Sequence, residues 1–237
     1  MLLTEVVQTA LVTGASRGIG RRVAELLAAE GTRVLLTVRR PKDAPRLPNS
    51  EALTLDVASP SSIAALVARL SARHERLDVL INNAGIYQGP RRDLWDVNVR
   101  GPWLLTRGLA PLLADGARVV MVTSGLAQGA ADAALRKRLA TLDVAGDGFG
   151  KLADDAPGGY GASKAALNRM AELFADELSP RGIKVNAVSP GWARTDMGGP
   201  GAPRSIDQGA QSVLWGVRLG VDGPNGGFFE DGQPLRP

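Results

Sequence analysis

Thr13-Gly14-Ala15-Ser16-Arg17-Gly18-Ile19-Gly20 closes an apolar, β-branched run and opens a stretch in which Val23, Leu26 and Leu27 recur at helical spacing. Each glycine has a physical use in such a junction. Gly14 permits a tight turn, Gly18 lets the backbone approach an anion, and Gly20 allows the helix to pack closely on the sheet. The first N–H groups of the helix and its dipole attract negative charge to the same place. Glycines needed for turn geometry alone would give the same triplet, so the rest of the chain has to decide.

Working outward, short β-branched runs near 7–13, 33–38, 52–55, 77–82, 117–123, 183–188 and 227–230 read as strands. Helical patterns near 18–30, 60–73, 92–113, 160–179 and 206–219 lie between them. Alternation of this kind predicts an α/β fold: one doubly wound, Rossmann-type parallel sheet of about seven strands with helices on both faces. No boundary and no repeat interrupts it, so residues 1–237 are expected to form a single domain. Two stretches break the rhythm, an insertion at about 126–158 and a Gly/Pro-rich segment at about 190–205 that is expected to act as a lid. Both follow strands, at the edge where open α/β sheets bind ligands.

Composition narrows the chemistry. The 237 residues are 44% hydrophobic and 22% charged, which is the balance of a folded globular chain. The net charge of +4 comes from 28 basic residues scattered among 24 acidic ones, with no basic block that would mark a nucleic-acid partner. With no cysteine and one histidine, His74, thiolate chemistry and a metal site are not expected. Met1 to Ala10 lacks the pattern of a signal peptide and no run of eighteen apolar residues occurs, so a cytoplasmic protein without a membrane span is expected.

The octet resembles the cofactor motif of the short-chain dehydrogenases/reductases, and the resemblance continues along nearly the whole chain. Asn82-Asn83-Ala84-Gly85 follows the fourth strand as that family's Asn-Asn-Ala-Gly does, and Asp56-Val57 follows the third, where the family's aspartate contacts adenine. Asp56 taken alone reads equally well as a cap for a helix beginning near Pro60. The resemblance implies cofactor contacts from Gly14, Ser16, Arg17, Gly18, Ile19, Gly20, Asp56, Val57, Asn83, Ala84 and Gly85. At the end of the second strand, Thr37-Val38-Arg39-Arg40 lacks the acid that holds a ribose 2′-hydroxyl in NAD enzymes. Arg39, Arg40 and Arg17 instead suit the 2′-phosphate of NADP(H).

Tyr160 and Lys164, in Tyr160-Gly161-Ala162-Ser163-Lys164, stand four apart and therefore share a helix face. A lysine ammonium beside a phenol is expected to lower the phenol's pKa, making Tyr160 an acid–base group near neutrality. By resemblance, Ser124 hydrogen-bonds the substrate oxygen, Asn98 holds a water in a proton relay, and Lys164 also binds the nicotinamide ribose. The bland alternatives are a strand-end turn for Ser124 and a backbone-bonding polar position for Asn98. Ser189-Pro190-Gly191-Trp192-Ala193-Arg194-Thr195-Asp196-Met197 resembles the family's segment over the nicotinamide, which adds Pro190, Gly191, Trp192 and Thr195 to the cofactor contacts. Trp192, Ile86 and Tyr87 are expected to border an apolar substrate pocket.

These residues imply an NADP-dependent reduction of a ketone or aldehyde by a carbonyl-reductase-like member of the family, acting on a small-molecule carbonyl or alcohol. A dinucleotide-binding redox sensor and an interaction module docking through 126–158 are the rival readings. Ser124 and Tyr160 are 36 positions apart, farther than in ordinary members. Ala130 to Leu142 reads as a helix with Ala131, Leu135, Leu139 and Leu142 on one stripe, ended by Gly146, Gly148 and Gly150. By resemblance this insert caps the helix at 160–179 and keeps the chain monomeric.

Overall fold

The computed structural model describes residues 9–236. The expected strand near 7–13 is seen from Thr9 onward; residues 7 and 8, and most of the stretch Met1 to Ala10, lie outside the described residues. Among the described residues, eight strands form one sheet: β1 (Thr9–Thr13), β2 (Arg33–Val38), β3 (Ser50–Thr54), β4 (Leu77–Asn82), β5 (Leu113–Val122), β6 (Lys184–Ser189), β7 (Phe228–Glu230) and β8 (Gln233–Pro234). Their order is β3-β2-β1-β4-β5-β6-β7-β8, parallel throughout except for the last pair. The chain reverses direction across the sheet between β1 and β4, the place where such folds open a ligand crevice.

Each central strand feeds two cores because its side chains alternate between faces. Ala10 and Val12 pack with α1 (Gly18–Ala29) and α8 (Ile206–Val217), while Leu11 joins the cluster under α2 (Pro60–Ala72), α4 (Gly101–Leu109) and α7 (Tyr160–Leu178). The two sets are fully buried, as expected of a parallel sheet covered on both sides.

The structure departs from the sequence reading in four places. The helix expected over 92–113 is α3 (Arg91–Trp95), a π-helical turn at Asp96–Arg100 and then α4, and β5 begins already at Leu113, opposite Leu77. Strand β8 was not anticipated, although its hairpin has a two-residue signal: Asp231 and Gly232 both take positive φ, +50° and +77°, as a type I′ turn requires. The insert holds two helices, α5 (Ala133–Ala140) and α6 (Gly148–Asp155), so Gly148 and Gly150 do not terminate a helix: Gly148 opens one and Gly150 lies within its first turn. Burial of Phe149, Leu152 and Ala153 on one face outweighs the glycines' poor helix propensity. Gly150 is small of necessity, since a Cβ there would fall 3.3 Å from the Trp103 ring and closer still to Asp147. Finally, the N-cap of α2 is Ser59, which accepts from the Ser62 N–H at 3.2 Å, whereas Asp56 accepts from the Ala58 N–H at 3.0 Å.

Candidate functional site

A cleft of about 300 Å³ opens along the carboxyl ends of β1, β2 and β4 and runs to the first turn of α7. Gly14 and Gly18 hold φ of +67° and +57°, which only glycine adopts without strain. Gly20 is pressed against the turn it serves: a Cβ would fall 2.6 Å from the Gly14 carbonyl oxygen and closer still to Asn83 Nδ2. Asn83 is the brace. Its Nδ2 donates to the Thr13 carbonyl at 2.7 Å, and the N–H groups of Asn83 and Ala84 both donate to Thr13 Oγ1 at 2.9 Å. Thr13, which the sequence reading passed over as strand, thus joins β1 to β4 at the crevice.

Arg17 is the N-cap of α1 and makes no capping bond with its side chain, so the first N–H groups of the helix are left for a ligand. Ser16, Ile19, Arg39, Asp56, Val57 and Gly85 also line the cleft. Arg40 does not: its guanidinium pairs with Asp43 at 2.8 Å, on the surface. Arg17 bonds Asp196 at 3.0 Å, a partner the sequence reading did not name, and the pair spans the mouth between the glycine turn and the segment after β6. Helix N–H groups, positive-φ glycines with no side chain to fill the turn, and two lining arginines form a donor set that fits a dinucleotide with a further phosphate.

At the other end of the cleft stand Tyr160 and Lys164. The Tyr160 phenol lies beside the Ser124 hydroxyl, which accepts from the Leu126 N–H at 3.2 Å. Burial pushes the Tyr160 pKa above its ordinary value, and the Ser124 hydroxyl offsets this only in part. This corrects the expected lowering by Lys164. The lysine points elsewhere: its Nζ donates to the Val122 carbonyl at 3.0 Å and lies 5.6 Å from the Tyr160 ring centroid rather than at its oxygen. Lys164 is itself lowered from 10.5 to about 8 because it is buried.

Asn98 lies in the π-helical turn and is fully buried. Its Oδ1 accepts from the Ile86 N–H at 3.0 Å, and its Nδ2 donates to the Ile86 carbonyl at 2.9 Å and to Ser163 Oγ at 3.1 Å. The side chain therefore fixes the strand exit after β4; Ser163, unnoticed in the sequence, carries the link to α7 by donating to the Tyr160 carbonyl at 2.7 Å. Gly85 must be small here, as a Cβ would sit 3.1 Å from Asn98 Oδ1 and 3.4 Å from Lys164 Nζ.

The segment after β6 folds over this end. Pro190 and Thr195 line the cleft, with the Thr195 methyl against Gly18, whereas Gly191 packs on Arg204 and Trp192 stands exposed outside. Met197, farther along the same segment, lines it too. Ile86 lines the cleft, and Tyr87 meets the Tyr160 ring edge-on at 4.9 Å.

Among the described residues no group of three acidic or histidine side chains is arranged to hold a metal, and no helix is long and apolar enough to cross a membrane. The family profile described as short chain dehydrogenase matches residues 8–134, and one described as enoyl-(acyl carrier protein) reductase matches 130–214. Oxidoreductase UcpA of Escherichia coli (strain K12) is 32% identical over 226 residues, covering 87% of this chain and 77% of that protein. The 3-oxoacyl-[acyl-carrier-protein] reductase FabG of the same organism is 33% identical over 202 residues, covering 79% and 74%. Among solved structures, NADPH-bound carbonyl reductase from chicken fatty liver superposes with a TM-score of 0.76 at 27% identity, covering 97% of this chain and 94% of that one.

Proposed function

The chain belongs to the short-chain dehydrogenase/reductase family, and from that premise we propose that it is an NADPH-dependent reductase of ketones or aldehydes, folded as one domain over residues 1–237. The observation that carries this reading is Tyr160 and Lys164 together at one end of a cleft whose other end is a glycine turn flanked by Arg17 and Arg39, with Ser124 beside the phenol and Lys164 behind its ring. The resemblance to an NADPH-bound carbonyl reductase supports it.

Gly14, Gly18 and the α1 N-terminus would hold the pyrophosphate, Arg39 and Arg17 the 2′-phosphate, Asp56 and Val57 the adenine side, and Tyr160, Lys164, Pro190 and Thr195 the nicotinamide end. Bound there, a reduced nicotinamide would supply the hydride that a carbonyl carbon takes up. Tyr160 gives its phenolic proton to the carbonyl oxygen, so the products are an alcohol and the oxidised cofactor. A phenol whose pKa is held up by burial keeps this proton until negative charge develops on the oxygen beside it. Ser124 hydrogen-bonds that oxygen and the phenol together. Lys164, charged below about pH 8, favours the phenolate left after transfer. Asn98 positions Ile86 and, through Ser163, the first turn of α7. Residues 190–205 serve as the lid on the nicotinamide.

The test is the purified protein with NADPH and a panel of carbonyls, alongside Tyr160→Phe. Turnover by the wild type should fall at least about 10²-fold in the variant, the lower end of what a positioned acid contributes, with NADPH affinity within about twofold. NADPH binding without turnover of any carbonyl or alcohol would favour a sensor instead.

A further inference from the structure

The chain between β6 and α8 closes on itself at Arg204. Its backbone N–H donates to the Trp192 carbonyl at 3.2 Å, and its carbonyl accepts from the Arg194 N–H at 2.9 Å, which makes a short bridge between the two limbs. From there the Arg204 side chain crosses the Pro190-Gly191 turn. Gly191 holds φ of +69°, and a Cβ on it would fall 2.5 Å from Arg204 Cδ, so the stem of the arginine lies directly on the glycine backbone. Beyond the turn the guanidinium forks onto Asp231, with both oxygens at 2.6 Å, and Glu230 Oε1 stands 3.6 Å away.

The β7–β8 hairpin is shaped to receive it. Asp231 sits in the left-handed region, which aspartate and asparagine tolerate better than other side chains. Two serines tie the same hairpin to the end of β6. Ser189 Oγ donates to Glu230 Oε2 at 2.7 Å and accepts from the Gly191 N–H at 3.0 Å. Ser212 Oγ donates to the Ser189 carbonyl at 2.7 Å and accepts from the Asp231 N–H at 2.9 Å. Glu230 also reaches β5: its Oε2 is 3.9 Å from where a Cβ would stand on Gly125, the residue after Ser124.

Exposed ion pairs contribute little, because water screens them and long side chains resist being fixed; the Arg17–Asp196 pair is of that kind. Arg204 differs on both counts. Its side chain is 19% exposed, and the fork is bidentate, which fixes direction as well as distance. Arg204, Glu230 and Asp231 are all absent from the lining of the cleft, whereas Pro190 and Thr195 belong to it.

We propose that Arg204 is a positioning residue: it clamps the Pro190-Gly191 turn onto the β7–β8 hairpin and thereby sets where the nicotinamide ring stands relative to the substrate carbonyl. This rests on the reductase reading, in which that segment holds the nicotinamide. The nicotinamide end is then built by the chain's own last hairpin before any cofactor arrives, and the pyrophosphate end is independent of it.

Arg204→Met keeps the stem and removes the fork, and Asp231→Asn keeps a side chain suited to the left-handed turn and removes the charge. Three quantities are measured: kcat with saturating NADPH, the emission of bound NADPH, which reports the surroundings of the reduced ring, and the Kd of 2′-phospho-ADP-ribose, the cofactor fragment without nicotinamide. A displacement of about 1 Å can cost about 10²-fold in rate, so each variant should lose at least about tenfold in kcat. Bound NADPH should emit more like free NADPH, while the Kd of the fragment stays within about twofold, because the glycine turn is untouched. Arg204→Lys should recover part of kcat, and the double variant should be no slower than Arg204→Met, since both changes remove one contact. Arg218→Ala, which breaks the ion pair with Glu30 at the other end of α8, should move none of the three. Thermal melts establish folding, and Asp231→Asn carries the test if Arg204→Met does not fold. Unchanged kcat and emission in both variants, or a fragment Kd weakened as much as kcat falls, overturns the inference while the reductase reading stands. Absence of turnover in the wild type overturns the reductase reading alone, and unchanged emission in both variants then overturns the clamp as well.

Discussion

Lys164 is a cation with almost no solvent exposure, and the cost of its charge is written in a pKa of about 8 against an ordinary 10.5. Between those values the unfolded chain keeps a proton that the folded chain has released, so unfolding takes up a proton and stability rises with pH across the window. The difference amounts to about 3 kcal/mol. Urea titrations of wild type and Lys164→Met from pH 7.5 to 10.5 should therefore show the wild type gaining stability relative to the variant as pH rises; a constant difference would mean that the ammonium is well solvated. Two neighbouring arginines separate in the same way. Arg39 lines the cleft and Arg40 is held by Asp43, so Arg39→Ala should raise the KM for NADPH about tenfold or more, as loss of a charged hydrogen bond does, with the KM for NADH unmoved. Arg40→Ala should have the smaller effect, and the reverse order would reassign the 2′-phosphate contact.

At the scale of elements, the junction of β1, α1 and β4 is the most constrained part of the site. Thr13 and Asn83 tie the two strand ends together and leave no room for a side chain on Gly20. Gly20→Ala forces Gly14 and Asn83 apart, at a cost of about 1 to 3 kcal/mol for an overpacked contact. Thermal unfolding and NADPH titration should show lower stability and weaker binding together. Intact binding would indicate that the turn adapts. The π-helical turn at Asp96–Arg100 works differently, displacing Asn98 from regular helical register so that it faces Ile86 and Ser163. Nothing in the periodicity of 92–113 marks such a turn, because it is held by contacts with residues 12 and 65 positions away.

For the whole molecule the insert is decisive. Arg169 donates to the Leu139 carbonyl at 3.3 Å, Trp103 to Val144 at 3.2 Å and Trp95 to Gly158 at 2.9 Å, and Arg100 binds both the Gly150 carbonyl and Asp154. Leu135, Leu139, Phe149 and Leu152 share one core with α7, which is buried around most of its circumference. We propose that 126–158 is a fixed cap on α7 rather than a substrate lid, and that the covered helix face leaves the chain monomeric. Light scattering after gel filtration at micromolar concentration should give the monomer mass, and a stable tetramer would overturn this. Much of the architecture was legible in the chain itself: the strand and helix alternation, the glycine turn and the Tyr160–Lys164 spacing are local patterns, set by backbone sterics and by periodicity within a few residues. What the tertiary structure alone decided was which way the side chains turn. The direction of the Tyr160 shift, the bond of Lys164 to Val122, the Arg17–Asp196 pair, Asp56 yielding the helix cap to Ser59, and α6 forming through Gly148 and Gly150 all depend on burial and on partners distant in sequence, where desolvation and packing outweigh local preference.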